Sequence, residues 1–484
     1  MTPPDDDRMD AFDQLLHRGE ANPRTRSGMM SIELVDRAPE WARFQGCFDR
    51  ASRTVARLRQ KVVMPIVPTA RPRWVVDPDF DLNYHVRRVR VPEPGTLREV
   101  FDLAEVMLQS PMDISRPLWT VTLVEGVSDG RAAVLSHMSH AVTDGLGGLE
   151  MFAEIYDGQR DPAPRPAARI PIPQDLSANE LTVSGINGLP GALAAGLRAA
   201  AGTAVAAAAR VARDPVPTIA GALDYLRSGM RIMGSAAPTS PLLRRRGLAT
   251  RSEAIDVDFA DLRAAAKAAG GSLNDAYLAA LCGMLRRYHD ALGVPIDTLP
   301  MTVPVSVRTD DDAAGGNRFA GVTLAAPVGE VDAVLRIQDI RAQMRSRRDE
   351  PALGMLGAIA PVLSLLPQPV IDSITDSISV PDVQASNVPG YTGDTYLAGA
   401  KVLRQYGLGP LPGVAMMVVM VSRAGLCTVT IRYDRASVTD PDLFADYLRA
   451  GFDEVLALEG PPPRAAAAPA SVPTRAARWS EPVR

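Results

Sequence analysis

Hydrophobic and polar positions change period repeatedly along this chain, which predicts a mixture of helices and strands. Apolar residues at three- and four-residue spacing predict amphipathic helices over 41–63 and 97–110. Between them, 83–91 (NYHVRRVRV) alternates every second residue, as a half-buried strand does. The runs 119–125 (WTVTLVE) and 131–137 (RAAVLSH) are predicted as an antiparallel pair, turned by Gly126 and Asp129-Gly130. A helix is expected over 145–156. After residue 250 the same mixture returns, with strands at 254–259, 298–307, 322–327, 414–421 and 428–433. Helices are expected at 261–269, 272–292 and 443–458.

Two segments depart from this pattern. Residues 181–250 hold eight arginines against two aspartates, a net +6, and the alanine-rich stretch 192–213 is predicted helical. This region reads as a connector, either packed across two halves or resting a cationic face on anionic lipid. The last 24 residues contain six prolines and many alanines, a composition too poor in large apolar groups to fold. The expected organisation is an N-terminal half (1–180), a connector (181–250), a C-terminal half (251–460) and a disordered tail (461–484).

Composition narrows the function. With 46% hydrophobic and 22% charged residues, the chain matches a soluble globular protein of two or three domains. A net charge of −4 argues against nucleic acid as a partner. Cys47, Cys282 and Cys427 are too few and too scattered for a disulfide framework or a zinc ribbon. The start, MTPPDDDRMD, lacks the apolar region of a secretory signal. The charge-free stretch 351–371 is interrupted by Pro351, Pro361, Pro367 and Pro369, and VAMMVVMV (414–421) is short enough for a buried strand. A cytoplasmic location follows, with any membrane contact peripheral.

The chemistry concentrates at 136–148 (SHMSHAVTDGLGG), which carries two of the five histidines, an aspartate and three glycines where a strand should turn into a helix. An unperturbed imidazole has a pKa of about 6.5, which suits the side chain to general-base work. The residues alone leave several readings open. His137 and His140 lack a third metal ligand nearby, and an i,i+3 pair on a strand points to opposite faces. No G-x-S-x-G elbow supports a serine hydrolase. A bonded core histidine with Asp144 as a helix cap is the plainest alternative, and a glycine cradle for phosphate is another.

Residues 139–145 (SHAVTDG) resemble the HHxxxDG motif of the CoA-dependent acyltransferase superfamily, which includes chloramphenicol acetyltransferase. More closely, the chain is similar to the bacterial wax ester synthase/diacylglycerol acyltransferase family. The likeness rests on FDLNYHVRRV (80–89), SRPLW (115–119), LNDAYL (273–278), VPVSVR (303–308), Gly316-Asn317-Arg318 and SNVPG (386–390), in that order. It implies an α+β fold of two chloramphenicol acetyltransferase-like halves, with the active-site channel at their interface. It also implies an acyl-CoA-dependent O-acyltransferase that needs no cofactor or metal. Acyl-CoA is the co-substrate and diacylglycerol or a long-chain alcohol the acceptor, with a membrane or lipid-inclusion surface as docking partner.

By the same resemblance His140 is the general base, with Asp144 and Asn274 in the catalytic set. Asp144 is expected to pair with Arg308 rather than face substrate, and Asn274 to donate to a reacting oxygen. Ser139, Gly145, Ser386, Asn387 and Pro389 are expected to line the substrate path, with Trp119 packed beside it. Pro389 should stiffen a loop at 386–390. The family's first motif histidine is Ser139 here, which can replace a hydrogen bond but not a proton acceptor. The alternative this raises is a weakened member that mainly binds lipid or acyl-CoA. Asp275 is expected to cap the helix that starts near 272.

Overall fold

The computed structural model describes residues 7–143, 153–163, 165, 168–188, 190–191, 198, 213, 236–306, 319–348, 350, 359–361, 363–364, 366–368, 370–371 and 381–459. The expected helix at 192–213 and the tail at 461–484 therefore lie almost wholly outside the described residues, as do Asp144, Gly145 and Arg308.

The first part of the chain runs α1 (Ala11–Gly19), β1 (Gly28–Val35), α2 (Trp41–Thr54), β2 (Gln60–Val63), β3 (Arg73–Val76), α3 (Leu82–His85), β4 (Val86–Arg90), α4 (Leu97–Gln109), β5 (Trp119–Glu125), β6 (Ala132–Ser139) and β7 (Tyr156–Asp157). The second runs β8 (Thr250–Asp258), α5 (Phe259–Ala268), α6 (Leu273–Ala291), β9 (Leu299–Ser306), β10 (Phe319–Ala326), α7 (Ala333–Arg348), β11 (Val383–Pro389), β12 (Tyr396–Leu397), β13 (Ala400–Leu408), β14 (Met416–Arg423), β15 (Leu426–Asp434) and α8 (Pro441–Leu456).

Two main sheets result. One has the order β4-β5-β6-β1-β13-β12-β7, the other β10-β9-β11-β14-β15-β8. The strands β12 and β13, from late in the chain, complete the first sheet, so the halves are woven together rather than tethered. The edge strand β4 carries Arg87, Arg88 and Arg90, charges that discourage edge-to-edge pairing.

Local chemistry explains most boundaries. Asp10, Glu40 and Asp258 each accept first-turn N–H groups of the helices they precede. A capping box opens α6: Ser272 Oγ accepts the Asp275 N–H, and the Asp275 carboxylate accepts the Ser272 N–H. Helix α6 is buried along most of its length, and α8 lies close against it. A Cβ at Gly451 would sit 2.5 Å from the Ala280 carbonyl oxygen, so only glycine permits that approach.

Four expectations need correction. The helix expected over 41–63 ends at Thr54, because the β-branched Val62 and Val63 pair with Arg73–Val76 as β2. The strand expected over 83–91 begins only at Val86, since Asp81 caps a one-turn helix first. The strand expected at 322–327 starts earlier, at Phe319, held in register with β9. The loop expected at 386–390 is the end of strand β11, parallel to β14, with Ser386 opposite Val419. Among the described residues β9 pairs only with Val383 and Gln384, so no ladder bond to β9 is asked of Pro389 there. The helix expected over 145–156 falls mostly on residues outside the description, although Tyr156 belongs to β7.

Candidate active site

His140 follows β6 directly. That strand is buried along all eight residues and is gripped on both sides, by β5 and by β1. The strand's end is held by backbone bonds to two separate elements. The Ser139 N–H donates to the Leu118 carbonyl at 3.1 Å, and the His140 N–H donates to the Ser27 carbonyl at 3.1 Å. These two bonds fix the backbone at His140, and the residue as a whole is half-buried.

The other four histidines are core residues. Burial lowers His17 and His85 to about 4 and His137 to about 3, and it lowers His289 as well. All four are therefore neutral near pH 7. The His85 Nδ1–H donates to the Trp119 carbonyl at 2.7 Å, and the His85 ring stacks on the Trp119 ring at 4.6 Å. Phe80 covers the other side of His85, and the Trp119 indole N–H donates to Leu58 O at 2.7 Å. The motifs at 80–89 and 115–119 thus meet as one aromatic stack that supports β5 beside β6. Among the described residues no group of three or more His, Cys, Asp or Glu is arranged to hold a metal.

Ser139 is fully buried, and its hydroxyl donates to Glu20 Oε1 at 2.7 Å. Sequence reasoning missed Glu20 entirely. It lies 119 residues from its partner, and nothing in its local pattern marks it. A second buried carboxyl lies further along the same sheet. Glu33 receives the Ser31 and Tyr156 hydroxyls at 2.5 and 3.0 Å and the Gln405 amide at 3.3 Å, and burial raises its pKa.

From the second half, Asn274 sits in the first turn of α6, half-buried, its side chain making no hydrogen bond among the described residues. One turn on, the Tyr277 hydroxyl donates to the Ser386 carbonyl at 3.3 Å, so α6 and β11 come together. Ser386 and Asn387 are half-buried and Pro389 is exposed. The structure therefore brings α6 beside β11 through Tyr277 and Ser386, and sets Ser139 directly before His140 at the end of β6. The Asp144–Arg308 pairing lies outside the described residues.

The seam between the halves is polar and well bonded. Arg432 on β15 donates to Glu105 on α4 at 3.0 Å, with both side chains buried. The Thr250 and Ser252 hydroxyls donate to the same carboxylate. Arg98 adds bonds to the Ser252 carbonyl and to Glu253.

Comparison with known proteins agrees with this architecture. Residues 6–277 match the model of the wax ester synthase/diacylglycerol acyltransferase catalytic domain, and 315–455 match that of the WS/DGAT C-terminal domain. A chain of Mycobacterium tuberculosis (strain ATCC 25618 / H37Rv), assigned to the diacylglycerol O-acyltransferases, is 65% identical over 472 residues, covering 97% of this chain and 96% of that one. The solved wax ester synthase/diacylglycerol acyltransferase of Marinobacter aquaeolei VT8 superposes with a TM-score of 0.62 at 20% identity, covering 94% and 100% of the two chains. The first condensation domain of the calcium-dependent antibiotic synthetase reaches 0.57 at 14% identity, covering 94% and 97%. At such identities the two solved structures speak for the two-halved fold alone.

Proposed function

We propose, for a chain that belongs to the wax ester synthase/diacylglycerol acyltransferase family, that His140 is the base of an acyl-CoA-dependent O-acyltransferase acting on diacylglycerol or a long-chain alcohol. The observation that carries the reading is the contrast among the histidines. Four are buried in the core, and only His140 stands half-exposed at a strand end with its backbone pinned.

An alcohol is a weak nucleophile until its proton is taken. The imidazole removes that proton as the oxygen attacks the thioester carbonyl carbon, and a tetrahedral oxyanion forms. The Asn274 amide is a candidate donor to that oxyanion. Collapse expels the CoA thiolate, which takes the proton back from the imidazolium. The acyl group passes directly from sulfur to oxygen, and no covalent acyl-enzyme is needed. Holding both substrates between the two halves supplies much of the rate.

Docking on a lipid surface is part of this proposal. Among the described residues no helix is long and apolar enough to cross a membrane. Ile66, Val67, Val183 and Ile186 are nevertheless all exposed, and Ile66 is tied to the segment bearing Val183 by its N–H bond to Thr182 Oγ1 at 2.9 Å. Val183 and Ile186 open the segment 181–250, whose sequence carries a net charge of +6, and apolar groups with basic ones in one segment suit anionic lipid. Co-sedimentation with anionic vesicles at low salt, weakened by Ile66→Asp, is the expected result.

The central test follows thiol release from palmitoyl-CoA supplied with diacylglycerol or hexadecanol. Release should depend on the acceptor and fall by about 100-fold or more in His140→Ala. Equal release by wild type and variant would remove His140 as the base.

A further inference from the structure

The Glu20 carboxylate collects three donors on one oxygen. The Ser139 and Ser27 hydroxyls each donate to Oε1 at 2.7 Å, and the Ser27 N–H donates at 3.3 Å. Both serines then reach the turn that carries His140. The Ser27 carbonyl accepts the His140 N–H at 3.1 Å, and Ser139 Oγ accepts the Ala141 N–H at 3.2 Å. The Ser139 carbonyl accepts the Val142 N–H at 3.1 Å. Glu20, Ser27 and Ser139 are all buried, at 3%, 3% and 0% exposure. Glu20 is itself fastened to the end of α1, its N–H donating to the His17 carbonyl at 3.3 Å.

We infer that Glu20 is the positioning residue of the catalytic turn: acting through Ser27 and Ser139, it fixes the backbone on both sides of His140. The inference rests on His140 being the base. It also gives Ser139 a role in which a hydroxyl suffices. A donor is needed toward Glu20 and an acceptor toward the Ala141 N–H, and one hydroxyl group supplies both. No proton acceptor toward substrate is asked of this position. Glu20 makes no ion pair among the described residues, and its Oε2 is buried with no hydrogen-bond partner. It acts through directional hydroxyl and backbone N–H donors rather than through an opposite charge, so what it sets is the geometry of the turn.

Loss of the carboxylate frees two backbone attachments at once, and displacement of a catalytic group by about 1 Å can lower turnover about 100-fold. Glu20→Ala is therefore expected to lower kcat about 10- to 100-fold, with KM for palmitoyl-CoA changed less than about three-fold. Glu20→Gln keeps a carbonyl oxygen able to receive the same donors and should recover most of that turnover. Ser139→Ala removes one branch of the network and should fall between the two. Combined with Glu20→Ala, it should add little further loss, because both changes cut the same connection.

His140→Ala is assayed in parallel so that the two claims separate. If His140→Ala retains full turnover, the base assignment fails and this inference falls with it. If His140→Ala is inactive while folded Glu20→Ala and Ser139→Ala both turn over at the wild-type kcat, the positioning role alone is overturned. Should Glu20→Ala not fold, Ser139→Ala and Glu20→Gln decide. Reduced kcat at unchanged KM in the first with recovery in the second supports the role, and wild-type kcat in Ser139→Ala contradicts it.

Discussion

The turn bearing His140 and the seam joining the two halves are each built around a buried glutamate, but the donors differ. At the seam, Glu105 receives the Arg432 guanidinium and two hydroxyls, and both of its oxygens are occupied. At the turn, Glu20 receives only hydroxyl and backbone N–H donors, all on one oxygen. A buried charge pair is costly to break from one side, because it strands the remaining charge. A knot of hydroxyl and N–H donors strands no opposite charge when it is cut, and it fixes direction closely. The seam thus carries stability, and the turn carries geometry.

The sharpest way to break this contrast is Arg432→Ala, which leaves the Glu105 carboxylate buried beside two hydroxyls alone. It should cost about 3–5 kcal/mol in urea unfolding. Turnover per folded molecule should change far less than in Glu20→Ala, and a reversal of that order would erase the distinction.

Acid is the next probe. The folded-state pKa values of His17, His85 and His137 lie below the ordinary 6.5, so the unfolded chain takes up protons first as pH falls. Their contribution to stability is complete above about pH 6.5. It drains as pH drops toward about 4 for His17 and His85 and about 3 for His137, by up to about 1.4 kcal/mol per pH unit for each. The urea midpoint should fall across this window, and His137→Gln should flatten the slope. A midpoint level between pH 6.5 and 4.5 would contradict the buried neutral state of these rings.

A smaller effect is expected from Ser139→His, which restores the family's usual pair. The site is fully enclosed, so an imidazole there is overpacked by about 1–3 kcal/mol and displaces the bond to Glu20. Thermal melting and thiol release should both decline. Increased turnover would show that the serine weakens this enzyme.

Local signals in the sequence made some of this legible and hid the rest. The apolar run within 131–137 identified β6 and placed His140 just past its end, because a strand buried on both faces leaves a continuous apolar record. Ser272 and Asp275 announced the start of α6, since a capping box is complete within four residues. SNVPG was misread because its proline and glycine signal a loop, while pairing with the apolar strand β14 decides otherwise. Glu20 and the crossing of β13 into the first sheet were invisible for one reason: each is defined by a partner far away in sequence, 119 residues off for Ser139 and some 370 for Glu33 and Gln405.

Exchanging each of the five histidines for glutamine, one at a time, tests the central claim most directly, with kcat for palmitoyl-CoA and diacylglycerol measured beside the melting temperature. His140→Gln should lose turnover by two orders of magnitude or more while melting near the wild type. The changes at His17, His85, His137 and His289 should chiefly lower the melting temperature. Full turnover in His140→Gln, or its collapse at one of the other four in a folded protein, would contradict the account.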